Sequence, residues 1–337
     1  MNVLITAASR RVPLIRFFKE ALEKLNPDGK VITSDINSLS PGLYFSDKFY
    51  YAPLCNSPDY IDTIKKICKA ENISLLIPTI DEELPIYASL VEEFKRLGIR
   101  IIVSSEKAIG ICNDKYLTYE YFCENNIPTP LTYMPDKIEF SKLVYPLFIK
   151  PRFGRGSVNS FIVRSERELK FFLDYIDEPI VQEYLRGIEF TIDVLTDFDS
   201  RVIASVPRER LLIRSGVTDR GITMSNPEIV SWGKRIAEKM GIIGPVNIQG
   251  KIDHGKIKFF EINPRFSGSI PLTIKSGQNF PELLLRMHMG EKVEPRIEGY
   301  KSNLLMICYE QGLFIDMNSS DNFKNGEAKR PEDYDLF

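Results

Sequence analysis

The richest chemistry in this 337-residue chain lies in Lys258-Phe259-Phe260-Glu261-Ile262-Asn263-Pro264-Arg265-Phe266-Ser267-Gly268-Ser269. Residues two apart on a strand share a face, so Glu261 and Asn263 point the same way and Arg265 continues the row. A carboxylate, an amide and a guanidinium in line suit a Mg²⁺–phosphate site. The hard metal takes oxygen ligands and keeps waters, while arginine binds phosphoryl oxygens. Upstream, Pro245-Val246-Asn247-Ile248-Gln249 places Asn247 and Gln249 on one face of a neighbouring strand. The plain alternative is a half-buried sheet with a polar outer face. Glu, Asn, Gln and Arg on otherwise Phe/Ile-rich strands are unusual, which favours a functional face.

Three further segments are ambiguous on their own. Phe148-Ile149-Lys150-Pro151-Arg152-Phe153-Gly154-Arg155-Gly156-Ser157 ends an apolar strand in a lysine and a glycine-spaced loop. Glycines there let backbone N–H groups approach phosphate oxygens, with Lys150 as a point charge. A hairpin turn with an exposed lysine fits those residues equally well, and the loop is neither a Walker loop nor a GxGxxG. In Val181-Gln182-Glu183-Tyr184-Leu185-Arg186-Gly187-Ile188-Glu189, a break after a strand could offer backbone groups to an adenine edge, and Glu189 could accept from ribose hydroxyls. Read alone, it is more simply a surface turn with two solvated acids. The arginine-dense stretch from Pro207 to Arg220 could clamp a phosphate or a substrate carboxylate through Arg208 and Arg210, which sit nearest the preceding strand. It could equally be a solvated loop balanced by its acids.

The elements that must position these residues fall into two styles. Up to about residue 110, short apolar runs alternate with helical patterns: Asn2–Thr6, a helix with Val12, Ile15, Phe18, Leu22 and Leu25 on one face, and Lys30–Ser34. A helix with Ile61, Ile64 and Ile67 follows, then Leu75–Pro78, a helix with Leu84, Tyr87, Val91 and Phe94, and Arg100–Ser104. This rhythm predicts a parallel sheet covered by helices. Beyond it come a helix at Asn113–Asn125 and strands at Tyr145–Lys150, Asn159–Val163, Pro179–Glu183, Ile188–Thr196 and Arg201–Pro207. Helices at Glu166–Tyr175, Ile229–Met240 and Phe280–Met289, and a strand pair at Pro245–Ile252 and Lys256–Ile262, complete an α+β region with mostly antiparallel pairing. The polar, acidic end reads as a loose tail.

Composition narrows the function. With 44 Lys+Arg against 46 Asp+Glu the formal charge is −2, which argues against nucleic acid or an anionic membrane as the main partner. Five scattered cysteines with no CxxC pair read as reduced thiols, and two histidines leave no histidine-rich metal site. The opening run is too short for a signal segment, and no stretch approaches the roughly 18 apolar residues of a membrane helix. The expected location is cytoplasmic.

Together these residues resemble the ATP-grasp superfamily, and most of all a single ATP-binding half of the carbamoyl phosphate synthetase large subunit and related carboxylate–amine ligases. The likeness covers nearly the whole chain. It implies a Rossmann-like N-terminal domain over residues 1–110, in which Pro78-Thr79-Ile80-Asp81-Glu82-Glu83-Leu84 resembles the loop after the third strand. It implies a two-lobed ATP-grasp domain over 111–310, with a small lobe at about 130–185, a large lobe at about 186–310, and a tail at 311–337. By that resemblance Lys115, in Asn113-Asp114-Lys115, and Lys150 hold the nucleotide phosphates under the mobile loop Gly154–Ser157. The same resemblance makes Glu183, Tyr184 and Leu185 the adenine hinge and Glu189 the ribose acid. It implies Gln249, Glu261 and Asn263 as metal ligands, with Gln249 standing where much of the superfamily has an acid, and Arg265 as the arginine at the reacting phosphate.

The activity implied is ligation with ATP and Mg²⁺, Mn²⁺ being the alternative metal. A carboxylate becomes an acyl phosphate, and an amine displaces phosphate. Partners would be a small-molecule carboxylate and an amine, with a homodimer common in the family. Catalysis of this kind is positioning and charge neutralisation, and needs no histidine base. The length suits one such unit, against two in the duplicated synthetase. Competing readings are a kinase or synthetase releasing a phosphorylated product, an idle ATP-binding module, and a dinucleotide-binding oxidoreductase. The last is disfavoured because Thr6-Ala7-Ala8-Ser9-Arg10-Arg11 lacks the GxGxxG glycines.

Overall fold

The computed structural model describes residues 1–315 and the backbone of two short strands beyond them. In chain order the elements are β1 (Asn2–Ile5), α1 (Val12–Leu25), β2 (Val31–Asp35), β3 (Lys48–Tyr51), α2 (Tyr60–Ala70), β4 (Ile73–Ile77), α3 (Leu84–Ser89), α4 (Val91–Arg96), β5 (Arg100–Ile101), α5 (Glu106–Asn113) and α6 (Lys115–Glu124). They continue as β6 (Thr132–Tyr133), β7 (Leu147–Pro151), β8 (Phe161–Val163), α7 (Glu166–Tyr175), β9 (Pro179–Glu183), β10 (Ile188–Thr196), β11 (Val202–Arg214), β12 (Val217–Thr223) and α8 (Pro227–Met240). The last are β13 (Pro245–Asp253), β14 (Lys256–Asn263), α9 (Ile270–Lys275), α10 (Phe280–His288), β15 (Leu305–Ile307), β16 (Leu313–Phe314), β17 (Gly326–Glu327) and β18 (Asp335–Leu336).

The first sheet runs β3-β2-β1-β4-β5, all parallel, with β17 antiparallel on its outer edge. Its central strands are buried on both faces, as expected of a parallel sheet sandwiched by helices. The helix expected across Leu84–Phe94 breaks at Leu90 into α3 and α4. Two more elements, β3 and α5, were not foreseen. Both are short, and α5 carries Gly110 at its middle, which blunts its helical pattern.

The remaining described strands form three antiparallel sheets, one of them just the pair β16-β18. The four-stranded one runs β6-β9-β7-β8, and the six-stranded one β14-β13-β10-β11-β12-β15. The arginine-dense stretch from Pro207 to Arg220, open in the sequence between a clamp and a solvated loop, is the end of β11 and the start of β12, a hairpin closed by Ser215 and Gly216. Phe190, Ile192 and Val194 on β10 turn to a core under α8. The alternate residues of the same strand, Thr191 and Asp193, are buried on the other face, where the polar rows gather.

The two regions share a core. Val3 and Ile5 of β1 and Phe18 of α1 join Phe280, Leu284 and Leu285 of α10 with Leu195 and Ile203 from β10 and β11. The edge of Phe18 meets Phe266 at a ring separation of 5.7 Å. Helix α10 therefore seats on the N-terminal sheet although it follows the antiparallel strands in sequence. Most of the expected tail at 311–337 lies outside the described residues. Among the described residues no helix is long and apolar enough to cross a membrane.

Candidate active site

Cross-strand register builds the site. On β13 and β14, Gln249 stands opposite Glu261 and Asn247 opposite Asn263. On β10, Thr191 stands opposite Gln249 and Asp193 opposite Asn247. Strand β11 adds Arg208 opposite Thr191. Directly opposed residues project to the same side, so these strands present one continuous polar face. Asn263 Nδ2 donates to Glu261 Oε1 at 3.1 Å and Asn247 donates to Asp193 at 2.7 Å, which orients the amide oxygens.

The four-stranded sheet faces this row. Lys150 lies next to the end of β7 with 6 % of its surface exposed, its ammonium 5.3 Å from the centre of the Phe260 ring. Burial pulls its pKa down to about 8; Glu261 opposes the fall and Lys115 adds to it. Lys115 opens α6, whose N-cap Asp114 is gripped by Arg152 Nε at 2.8 Å. Its Nζ donates to the Gly154 carbonyl at 2.6 Å, and burial lowers its pKa also. The glycine loop holds Gly154, Gly156 and Ser157 at positive φ, the region glycine enters freely and serine rarely does. Gly216, at the tip of the β11–β12 hairpin, meets this loop so closely that a Cβ on it would lie 2.5 Å from Gly156 Cα.

One cavity of about 320 Å³ is walled by Lys115, Lys150, the glycine loop, Glu183, Tyr184, Leu185 and Glu189, and by Arg210, Gln249, Glu261, Asn263 and Arg265. Several of these groups are paired within the protein. Glu183 holds Lys258 Nζ at 2.6 Å, so what it offers a ligand is backbone rather than carboxylate. Glu189 accepts from Arg210 Nη1 at 2.7 Å and lies 3.3 Å from Lys251 Nζ. Arg210 also donates to Gln249 Oε1 at 3.2 Å and to the Gly216 carbonyl at 2.7 Å.

Arg208 is the exception among the expected residues. It is wholly buried and walls neither this cavity nor the larger one beside it. Its guanidinium pairs with Asp193 at 2.7 Å and donates to Ser269 Oγ at 2.7 Å and Ser267 Oγ at 3.2 Å. The structure thus corrects its placement: Arg208 lies beneath the loop that follows Arg265, not on the cavity wall.

Sequence reasoning missed Lys251, Phe148, Arg155 and Asp81. Period-two spacing from Gln249 and Lys150 reaches Lys251 and Phe148, both of which wall the cavity. Asp81 gave no such signal. It sits after β4, and Arg265 Nη2 donates to it at 2.8 Å. The second cavity, about 1190 Å³, adjoins the first at Arg155, Gly156, Arg210, Gly216, Gln249 and Arg265, and extends over the C-terminal ends of β1 and β2 to Ser9, Asp35 and Glu83.

Comparison with known proteins agrees with this architecture. Residues 176–306 match the family described as ATP-grasp in the biosynthetic pathway with Ter operon, and residues 3–102 match the PylC-like N-terminal domain. The arginine-specific carbamoyl phosphate synthase large chain of Geobacillus stearothermophilus is 24 % identical over 306 residues, covering 86 % of this chain and 29 % of that protein. The chain thus spans less than a third of the curated relatives it matches. Among solved structures, the biotin carboxylase domain of Hydrogenobacter thermophilus 2-oxoglutarate carboxylase superposes with a TM-score of 0.73 at 18 % identity, over 90 % of this chain and 73 % of that one. The L-amino acid ligase of Bacillus licheniformis gives 0.67 at 19 % identity, over 94 % and 82 %. At these identities the structural likeness speaks for the fold. The two family matches and the fold agree: residues 3–102 resemble a PylC-like N-terminal domain and residues 176–306 resemble an ATP-grasp domain.

Proposed function

We propose that the protein is a Mg-ATP-dependent ligase that activates a carboxylate as an acyl phosphate and joins it to an amine. The observation that carries this reading is convergence: two lysines, a glycine loop, a strand break and a row of oxygen donors ending in Arg265 wall a single cavity. The nucleotide's phosphates would lie against Lys115 and Lys150 beneath Gly154–Ser157. Its adenine would meet the backbone of Glu183–Leu185, and its ribose Glu189. That the Hydrogenobacter domain, alike in fold, was solved with MgADP and bicarbonate supports nucleotide binding by this fold.

The residues present fit Mg²⁺. Among the described residues no three His, Cys, Asp or Glu side chains cluster as a metal cage. Glu261 with the amide oxygens of Gln249 and Asn263 is a sparse set of hard donors, which suits a magnesium ion shared with phosphates and waters. When bound, that ion supplies charge neutralisation along the phosphates. Arg265 would stabilise charge on the transferring phosphoryl group, and the lysines would hold the departing diphosphate. Arg265 also borders the larger cavity, which would receive the acid and the amine. Arg208 would position the Ser267–Ser269 loop without touching substrate.

The test is phosphate release from Mg-ATP against a matrix of carboxylic acids and amines. Release only when both are supplied is the expected result. Release with an acid alone and a stable phosphorylated product would replace the ligase by a kinase. No release with any pair, together with no MgADP binding, would overturn the reading.

A further inference from the structure

On the wall of the larger cavity, the half-buried Arg11 leaves one guanidinium nitrogen without a partner. It is the residue before α1, and its Nη2 donates to the Thr79 carbonyl at 2.9 Å. Its Nη1 is buried and has no hydrogen-bond partner among the described residues. Buried donors are almost always satisfied, so an orphan on a cavity wall needs an explanation.

Two residues along the same loop, Asp81 accepts from Arg265, whose Nε is likewise buried and without a partner. The loop at 79–81 therefore holds two guanidiniums close together, one from the start of the N-terminal domain and one from just after β14. Burial and the Arg265 charge together pull the Arg11 pKa down to about 9, with Asp81 opposing and Arg155 adding to the fall. The nearby acids are committed. Glu82 pairs with Arg155 at 3.0 Å. Asp35 accepts from the Ser9 and Asn37 N–H groups and from the Ser40 hydroxyl. Glu83 accepts from Thr6 and Tyr60. Arg265 borders both cavities, whereas Arg11 borders only the larger one. The order from nucleotide outward is thus Arg265, then Arg11.

We propose that Arg11 anchors a second anionic group, a carboxylate or a phosphate, on the acid substrate, while Arg265 faces the carboxylate being activated. The part concerning Arg265 rests on the ligase reading; the need of Arg11 for an anion does not. The substrate class is then an acid carrying two anionic groups.

Calorimetry with acetate, succinate and orthophosphate tests this, on wild type, Arg11→Gln and Arg11→Lys, with MgADP saturating the nucleotide cavity. Wild type is expected to bind succinate or orthophosphate about tenfold more tightly than acetate, the worth of one charge-assisted hydrogen bond. Preference for succinate assigns a second carboxylate, and preference for orthophosphate a phosphate. Arg11→Gln, which removes the guanidinium, should lose the preference with MgADP affinity unchanged. Arg11→Lys should keep part of it, which separates charge from misfolding. Equal binding of acetate and both dianions by wild type, or an unaltered preference in Arg11→Gln, overturns the proposal. Should wild type not bind MgADP, the ligase reading falls, and the same titrations without nucleotide still decide the role of Arg11.

Discussion

Arg265 Nη2 donates to the Asp81 carboxylate at 2.8 Å, tying the end of β14 to the loop after β4 across 184 residues of sequence. The guanidinium is thereby held where the two cavities meet, with one Nη also on Asn263 Oδ1 at 3.0 Å. Preorganised donors of this kind act on the transition state more than on substrate binding. Arg265→Lys is therefore expected to lower kcat by about 10²–10³-fold while MgADP affinity changes little, since lysine cannot reproduce the planar fork. Steady-state kinetics beside calorimetry checks this. A loss confined to KM for ATP would argue against the role.

Lys150 gives the site a pH limit. Its pKa in the folded, ligand-free protein is about 8, so the ammonium form prevails below that pH and is lost above it. Since phosphates need the charged form, kcat/KM for ATP should fall as pH rises through about 8. Arg at this position keeps its charge, so in Lys150→Arg the falling limb should move to higher pH. A pH–rate profile with the same limb in both proteins would remove Lys150 from the account.

Gly216 and Gly156 form a clasp between the hairpin tip and the glycine loop. Gly216→Ala places a methyl carbon 2.5 Å from Gly156 Cα, on a backbone with φ of +75°. Gly241 has a similar φ of +70° but open space around it. Both alanine variants should lose about 1 kcal/mol to backbone strain. Only Gly216→Ala should also push the loops apart, seen as faster proteolysis within 153–158 and weaker ATP binding. Equal behaviour of the two variants would mean that the contact has no role in closure.

The Arg208–Asp193 pair is buried at both ends. Removing one partner of such a pair typically costs about 3–5 kcal/mol, because the other charge stays buried without compensation. Arg208→Met should show that loss in urea unfolding, and Arg208→Met with Asp193→Leu should recover much of it. A variant of ordinary stability that binds substrate poorly would return Arg208 to the substrate contacts.

Glu83 sets a stability trend with pH. Burial raises its pKa to about 7, against hydrogen bonds from Tyr60 and Thr6 that act the other way. An acid whose pKa is higher folded than unfolded binds its proton more tightly in the folded state. Its contribution is full below the ordinary glutamate range and is lost as pH climbs to about 7. Chemical denaturation from pH 4.5 to 7.5 should show that decline, and Glu83→Gln should flatten it.

Much of this protein is legible from local sequence. The strands at Pro179–Glu183 and Ile188–Thr196 and the helix at Glu166–Tyr175 match the structure residue for residue, because each carries a full period of its pattern between clear turn signals. The row Gln249, Glu261, Asn263 follows from alternation along two adjacent strands, and the register puts the first two opposite one another. Elements too short to complete a period, such as β3 and α9, went unseen.

Alternation assigns a face, but what covers that face is chosen elsewhere in the chain. Arg208 and Arg210 lie two apart on β11 and share a side. The Ser267–Ser269 loop and Asp193 close over the first, while a cavity opens above the second. Arg11 likewise begins as one basic residue in a short turn. The pairing of β1 with β4 sets Asp81 near it, and only the packing of α10 and the β14 end against the N-terminal domain brings Arg265 beside it. The sequence by itself determined the chemical types in each row, because side-chain direction on a strand is a local property. The tertiary structure alone decided which of those groups face a cavity and which are sealed, because burial depends on contacts between segments far apart in the chain.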